Sequence, residues 1–157
     1  MDYETLVASA EGLLSGESDF IANAANFAAF VYHELPDLNW AGFYFPNAQG
    51  DLVLGPFNGR PACTRLPRGR GVCGAAFVEG RTVVVDDVHA FADHIVCDSA
   101  SVSEIVVPLV GERGAFGVFD IDSPVAARFD DADRAGIERL VAAFVRAVDT
   151  THAPTPV

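Results

Sequence analysis

The chain has 157 residues, of which half are hydrophobic, and a formal net charge of −12. This length suits a single domain with enough apolar surface for a core, and the acidic balance argues against a nucleic-acid or anionic-membrane partner. No uninterrupted apolar run reaches about 18 residues, and the acidic N-terminus lacks the basic and apolar parts of a secretory signal. We therefore expect a cytoplasmic protein.

The first part of the chain predicts two helices followed by a hairpin. Apolar residues recur at helical spacing in the two helices, and aromatic and aliphatic residues form two strand-like runs separated by a turn. Ser18 is the expected N-cap of the second helix, which Pro36 ends. In chain order, the predicted elements are helices at 3–14 and 18–35 and strands at 38–45 and 51–57.

The second part predicts short strands between two long loops, and then a final helix. Gly80 is expected to end the short helix, Pro108 to place a break or an edge in its strand, and Asp130 to cap the last helix. Residues 151–157 are expected to be a disordered tail. In chain order, the elements are a loop at 58–71, a helix at 72–80, a strand at 82–88, an irregular stretch at 89–103, strands at 104–110 and 114–123, and a helix at 130–148.

Helices that flank a series of hairpin-linked strands indicate an α+β domain with an antiparallel sheet, extending over residues 1–150. A sheet covered on both faces holds its ligand under the loops. Long ordered loops in compact domains tend to be functional. The two candidates are the loops 58–71 and 89–103, and each carries a cysteine.

The three cysteines, Cys63, Cys73 and Cys97, lie in a chain expected to stay reduced, which argues against a structural disulfide framework. Their wide spacing lacks the close ligand pairs of structural zinc sites. His94 and Cys97 form the best available ligand pair, and we predict no metal site. No histidine lies in a recognisable Cys–His hydrolase signature. The remaining interpretations are buried apolar cysteines or redox chemistry.

Redox chemistry on an oxidised sulfur needs thiols and a proton donor. A thiol that removes the oxygen becomes a sulfenic acid, and a second thiol then closes a disulfide. The oxygen leaves as water, so a carboxylic acid with a raised pKa is needed. Candidates are Glu104, Asp120 and Asp122, of which the last two share one face of a strand. The alternative for these two aspartates is a solvated strand end.

An aromatic surface lies on another predicted strand. Trp40 and Tyr44 are four residues apart, so their side chains share one face. They could receive a methyl-sulfur group, or they could simply pack in the core.

At this point the sequence resembles a known family, the free methionine-(R)-sulfoxide reductases, which are built on a GAF domain. The similarity runs from about residue 3 to residue 148 and includes all three cysteines. The stretches that carry it are "NWAGFYF" (39–45), "LVLGPFNGRPAC" (52–63), "GRGVCG" (69–74), "HIVCDSASVSEIVVPLV" (94–110) and "GVFDIDSP" (117–124). The resemblance implies a six-stranded antiparallel sheet with helices on both faces, and reduction of free L-methionine-(R)-sulfoxide to methionine.

The resemblance also implies roles for individual residues. Cys97 corresponds to the thiol that becomes the sulfenic acid, and Cys63 to the resolving thiol that forms a disulfide with it. Cys73 corresponds to the third family cysteine, an alternative or later exchange partner. The implied substrate-binding residues are the acids Glu104, Asp120 and Asp122, for the amine and the sulfoxide oxygen, and the aromatic residues Trp40 and Tyr44, for the methyl group.

The implied reductant is thioredoxin, with no cofactor, and the family commonly forms homodimers. The chain departs from the family pattern in the loops: Asn58 replaces a usual glutamine, Val96 a usual alanine, and Ala92 and Asp93 the more frequent proline and glycine. Two other functions stay open from the sequence, a ligand-sensing GAF module that regulates a partner, and a zinc-binding protein.

Overall fold

The computed structural model describes residues 1–149, 153 and 154. Its six strands form one sheet in the order β3-β2-β1-β6-β5-β4, and every neighbouring pair is antiparallel. The helices are α1 (Tyr3–Leu14), α2 (Phe20–Glu34), α3 (Gly71–Glu79) and α4 (Asp131–Ala147), and the strands are β1 (Trp40–Pro46), β2 (Leu52–Gly59), β3 (Arg65–Leu66), β4 (Val83–Val85), β5 (Ser103–Gly111) and β6 (Gly114–Ser123).

The two faces of the sheet support two separate apolar clusters, because side chains alternate along each strand. On one face, α1, α2 and α4 cover a large core in which the rings of Phe27, Phe43, Phe119 and Phe144 contact one another. The other face carries α3 and a smaller cluster that includes Cys73. The predicted α+β fold, a six-stranded antiparallel sheet with helices on both faces, is confirmed.

β1 carries a close approach that shapes the smaller cluster. Gly42 lies between Trp40 and Tyr44 on the same face of β1, where the register with β2 shifts. A Cβ atom on Gly42 would lie 2.3 Å from Cβ of Phe57 and 2.6 Å from the indole of Trp40. The missing side chain therefore allows the indole to lie over the strand and stack on Phe57, with the ring centroids 5.4 Å apart.

Three local predictions need correction. The N-cap of α2 is Asp19 rather than Ser18, and its side chain accepts a hydrogen bond from Ala22 N at 2.8 Å; a carboxylate also interacts favourably with the helix dipole. The predicted loop 58–71 contains β3, which pairs with the beginning of β2. The predicted strand 82–88 is only three residues long, and its last predicted residue, Val88, begins a short 3-10 helix at Val88–Ala90.

Other predictions hold. Gly80 ends α3 in the left-handed conformation, with φ 62°, and Asp130 caps α4 in a reciprocal arrangement with Asp133. Pro108 does not interrupt β5; it lies beyond the residues of β5 that pair with β4, where the strand has β6 as its neighbour. A missing N–H is tolerated at such an edge.

Within residues 1–149, 153 and 154, no helix is both long and apolar enough to cross a membrane. The predicted disorder of the tail 151–157 concerns residues of which only two are described, so it stays a prediction. Of these two, Ala153 is buried against the larger core.

Candidate active site

Three acidic side chains meet on the α3 face of the sheet. In the strand register, Asp122 of β6 lies between Trp40 of β1 and Glu104 of β5, and Asp120 occupies the next position on the same face of β6. Glu104 and Asp120 are each 6 % exposed. The prediction that Asp120 and Asp122 share a face is confirmed, whereas the alternative of a solvated strand end is wrong for Asp120.

Burial governs the ionisation of this acidic cluster. Removal from water raises the pKa of Glu104 and of Asp122 well above the usual range, and the charge of Asp120 raises both further. Burial also raises the pKa of Asp120, although polar contacts with Cys73 and Glu104 act in the opposite direction. Adjacent carboxylates resist ionising together, so burial and mutual repulsion favour the retention of a proton in the cluster.

The three cysteines lie in two different environments. Cys63 and Cys97 are half-buried in the two long loops and form a disulfide, with their Cα atoms 5.2 Å apart. Cys73, on α3, is a free thiol and only 3 % exposed. Burial raises the pKa of the Cys73 thiol well above its usual value, and the charges of Asp120 and Glu104 raise it further. Cys73 is therefore a poor source of thiolate.

The aromatic pair of β1 does more than pack. Trp40 and Tyr44 are buried, with ring centroids 5.8 Å apart. The indole Nε1 of Trp40 donates a hydrogen bond to the carbonyl of Arg60 at 3.1 Å, and the hydroxyl of Tyr44 donates to the carbonyl of Cys63 at 2.8 Å. These two bonds fix the loop that carries Cys63, a role that spacing along one strand could not predict.

One pocket brings together most of the predicted site residues. It lies between α3, the sheet and the loop 89–103, and Cys63 adjoins it through its disulfide with Cys97. The cavity volume is about 40 Å³, which is room enough for a few waters. The predicted residues that line the pocket are Trp40, Tyr44, Cys73, Cys97, Glu104, Asp120 and Asp122.

Comparison with known proteins decides the family. Residues 21–148 match the GAF domain model. The chain is 48 % identical to the free methionine-R-sulfoxide reductase of Escherichia coli, over 95 % of this chain and 90 % of that protein. The chain belongs to the free methionine-R-sulfoxide reductase family.

Solved structures of the family have the same fold. The reduced form of fRMsr from Staphylococcus aureus is 44 % identical, covers 93 % of this chain and 94 % of its own, and has a TM-score of 0.88. The free methionine-R-sulfoxide reductase of Neisseria meningitidis, in complex with its substrate, is 43 % identical, covers 92 % and 87 % of the two chains, and has the same TM-score of 0.88.

This member of the family has an ion pair where the resemblance leads one to expect glycine. Nε of Arg70 donates to both carboxylate oxygens of Asp93 at 2.7 Å, and the N–H of Gly71 donates to one of them at 3.2 Å. Hydrogen bonding lowers the pKa of Asp93 and raises that of Arg70. This Arg70–Asp93 latch joins the loop 89–103 to the beginning of α3.

Two further contacts that sequence reasoning missed lie along the same loop. The side chain of Asn39 donates to Ser101 at 3.0 Å and to Asp98 at 3.3 Å, which anchors the segment after Cys97. Nε2 of His94 lies 3.9 Å from Oε2 of Glu104. Burial lowers the pKa of His94, so its imidazole is neutral at pH 7. The sequence pointed to His94 only through its position three residues before Cys97, and it did not predict the contact with Glu104.

Proposed function

We propose that the protein reduces free L-methionine-(R)-sulfoxide to methionine in the cytoplasm, restoring methionine that oxidative stress has damaged. The observation that carries this proposal is the pocket itself, in which a disulfide-forming cysteine pair adjoins buried carboxyl groups and an aromatic surface. Family membership supports the same activity.

The first step consumes one thiolate and one proton. The thiolate of Cys97 attacks the sulfur of the sulfoxide while a carboxylic acid protonates the oxygen. The oxygen is transferred to Cys97, which becomes a sulfenic acid, and methionine is released. Cys97 is half-buried on a loop, whereas the deep burial of Cys73 and the raised pKa of its thiol make it a weaker nucleophile. These differences support Cys97 as the attacking residue.

The following steps restore the enzyme. The thiol of Cys63 attacks the sulfur of the sulfenic acid, a disulfide forms, and water leaves. Thioredoxin then reduces the Cys63–Cys97 disulfide by thiol–disulfide exchange and becomes oxidised itself. Cys73 is assigned to a later exchange, because its side chain is almost fully buried at the bottom of the pocket, where an external reductant reaches it poorly. No cofactor takes part.

The acidic cluster has two tasks in this scheme. One ionised carboxylate neutralises the substrate ammonium group, and one protonated carboxyl donates to the sulfoxide oxygen. Glu104, Asp120 and Asp122 share these tasks, and their raised pKa values support the presence of a retained proton. Trp40 and Tyr44 receive the methyl group, which leaves one epimer able to present its sulfur to Cys97.

Substrate specificity tests the proposal. The assay follows NADPH consumption with thioredoxin and thioredoxin reductase on the free R epimer, the free S epimer and the N-acetylated R epimer. We expect high activity on the first and little on the second. Acylation leaves a buried acid unpaired at a cost of about 2–5 kcal/mol, so kcat/KM should fall by roughly 30-fold to several-thousand-fold.

Comparable kcat/KM values for the free and N-acetylated sulfoxides would contradict a pocket in which a buried acid pairs with the substrate ammonium group. A parallel series with dithiothreitol separates the chemistry from thioredoxin recognition, and no turnover with either reductant would leave a ligand-sensing module as the function. The homodimer implied by the resemblance stays a prediction, which the molar mass in solution checks.

A further inference from the structure

A set of potential metal ligands lies at the floor of the pocket and includes neither disulfide cysteine. Sγ of Cys73 and one carboxylate oxygen each of Glu104 and Asp120 all lie within 4.8 Å of one another, and all three residues are buried. A tetrahedral Zn²⁺ with bonds of about 2.0–2.3 Å separates its ligand atoms by roughly 3.3–3.8 Å. Shifts of about an ångström or less would therefore bring these atoms to bonding distance of one ion.

A second observation points to a missing partner at the same place. Oδ1 of Asp120 is fully buried and makes no hydrogen bond with any residue that the structure describes. Buried carboxylate oxygens are normally satisfied, and leaving one without a partner is costly. A bound cation would satisfy this oxygen directly.

The size of the pocket also suits an ion. The cavity volume of about 40 Å³ is room enough for a cation with a water molecule. Nε2 of His94 lies 3.9 Å from Oε2 of Glu104, and imidazole is a common zinc ligand. Among the described residues that line the pocket, Arg70 is the only arginine, and it is exposed and paired with Asp93. No arginine therefore neutralises the floor.

The ligand types favour a cation of intermediate softness. A thiolate disfavours Mg²⁺ and Ca²⁺, which prefer oxygen ligands, whereas a mixture of thiolate, carboxylate and imidazole suits Zn²⁺. We propose that the floor of the pocket binds one Zn²⁺ ion through Cys73, Glu104 and Asp120. Because neither disulfide cysteine is a ligand, binding occurs in the oxidised protein as well as in the reduced one.

The Zn²⁺ ion is an inhibitor in this scheme rather than a cofactor. It occupies the acids that the substrate ammonium group needs, so in the reduced protein it should raise the KM for the sulfoxide. This consequence rests on the proposed function, but the binding itself does not. The sequence spacing gave no sign of the site, because its three ligands come from α3, β5 and β6.

The experiment uses oxidised protein freed of metal with a chelator. Zn²⁺ is titrated in competition with a chromophoric zinc chelator, and Co²⁺ serves as a spectroscopic probe of thiolate ligation. We expect one Zn²⁺ per chain and a Co²⁺–thiolate absorption band in the near ultraviolet. Cys73→Ser should lose the band and bind Zn²⁺ at least about 100-fold more weakly, more than the loss of an outer-shell partner causes.

Matched variants make the outcome decisive. The Cys63→Ser/Cys97→Ser variant retains all proposed ligands and should bind Zn²⁺ as the wild type does. Asp120→Asn, whose amide keeps the shape of the side chain, should weaken binding even if Cys73→Ser fails to fold. Binding that vanishes on oxidation, survives unchanged in both ligand variants, or is absent altogether would overturn the proposal. None of these results would affect sulfoxide reduction, which the NADPH assay tests separately.

Discussion

At the scale of single residues, burial distinguishes three cysteines that are chemically identical in sequence. Cys73 is 3 % exposed and faces carboxyl groups that raise the pKa of its thiol, whereas Cys63 and Cys97 lie half-buried on loops. A thiolate is the reactive form of cysteine. The loop cysteines are therefore better placed for attack and for exchange with an external reductant.

The roles of the two loop cysteines can be separated kinetically. Cys97→Ser should abolish methionine formation even with dithiothreitol, because the oxygen acceptor is lost. Cys63→Ser should release about one methionine per active site in a single burst and then stop with thioredoxin, since attack precedes resolution. Quenched-flow measurement of methionine checks both variants.

Absence of a burst in Cys63→Ser would make Cys63 part of the chemical step itself. Sizeable steady activity in Cys97→Ser would assign the attack to another cysteine. The Cys63→Ser/Cys73→Ser double variant controls for resolution by Cys73.

At the scale of elements, the packing of α1 on α4 depends on a glycine. A Cβ atom on Gly136 would lie 2.1 Å from the ring of Tyr3, and the hydroxyl of Tyr3 donates to Asp133 at 2.6 Å. Substitution of Gly136 by alanine should stabilise the helix by about 1 kcal/mol through its higher helix propensity. It should lose more through overpacking, roughly 1–3 kcal/mol, and through the displaced hydrogen bond, about 1 kcal/mol.

We therefore expect Gly136→Ala to lower the free energy of unfolding by about 1–3 kcal/mol, as measured by urea denaturation. Gly12 of α1 is the matched control, because nothing lies within 4 Å of the position that its Cβ would take. Gly12→Ala should raise the free energy of unfolding by about 0.5–1 kcal/mol. If both substitutions raised the free energy of unfolding, α1 would be able to shift away from the added methyl group on α4 without loss of stability.

The Arg70–Asp93 latch acts between the loop 89–103 and α3. Because both side chains remain largely accessible to solvent, we expect Asp93→Gly to change global stability little. In the reduced protein, however, the loop should lose its attachment to Gly71, and its amide hydrogens should exchange faster. Hydrogen-exchange mass spectrometry checks this expectation, and high salt should reproduce part of the effect in the wild type.

The ion pair between Arg81 and Glu79 supplies a control, since it lies at the other end of α3 and is also exposed. Glu79→Gln should leave exchange in the loop 89–103 unchanged. If the amide hydrogens of the loop exchanged at the same rate in the wild type and in Asp93→Gly, the hydrogen bond from Asn39 to Ser101 would be sufficient to hold the loop without the ion pair.

At the scale of the whole molecule, the redox state should change stability. The disulfide links residues that are 34 positions apart, and closing a loop of that length restricts the unfolded chain by about 4 kcal/mol at most. We expect the oxidised protein to exceed the reduced one by about 2–4 kcal/mol in the free energy of unfolding.

Urea denaturation with and without dithiothreitol measures this difference, and the Cys63→Ser/Cys97→Ser variant should show no dependence on the reductant. Identical midpoints for the oxidised and reduced wild type would mean that strain in the closed loops offsets the gain. Such an outcome would make reduction by thioredoxin easier than the loop length suggests.

The sequence by itself determined the local features of this protein. Alternation along a strand placed Asp120 and Asp122 on one face of their strand, and likewise Trp40 and Tyr44 on one face of theirs, because side-chain direction in a strand has a period of two. The ends of helices followed from capping chemistry at Gly80 and Asp130. The pairing of Cys63 with Cys97 came from family resemblance instead, since three cysteines allow three pairings and spacing does not choose between them.

Only the tertiary structure decided how these local features meet. The pairing of β5 with β6 sets Glu104 beside Asp122, and the packing of α3 on the sheet brings Cys73 against Asp120. The hydroxyl of Tyr44 reaches the carbonyl of Cys63 because β1 and the loop after β2 close on one another. Each of these contacts joins segments distant in sequence, and its geometry depends on strand register and helix packing, which no short pattern of residues encodes.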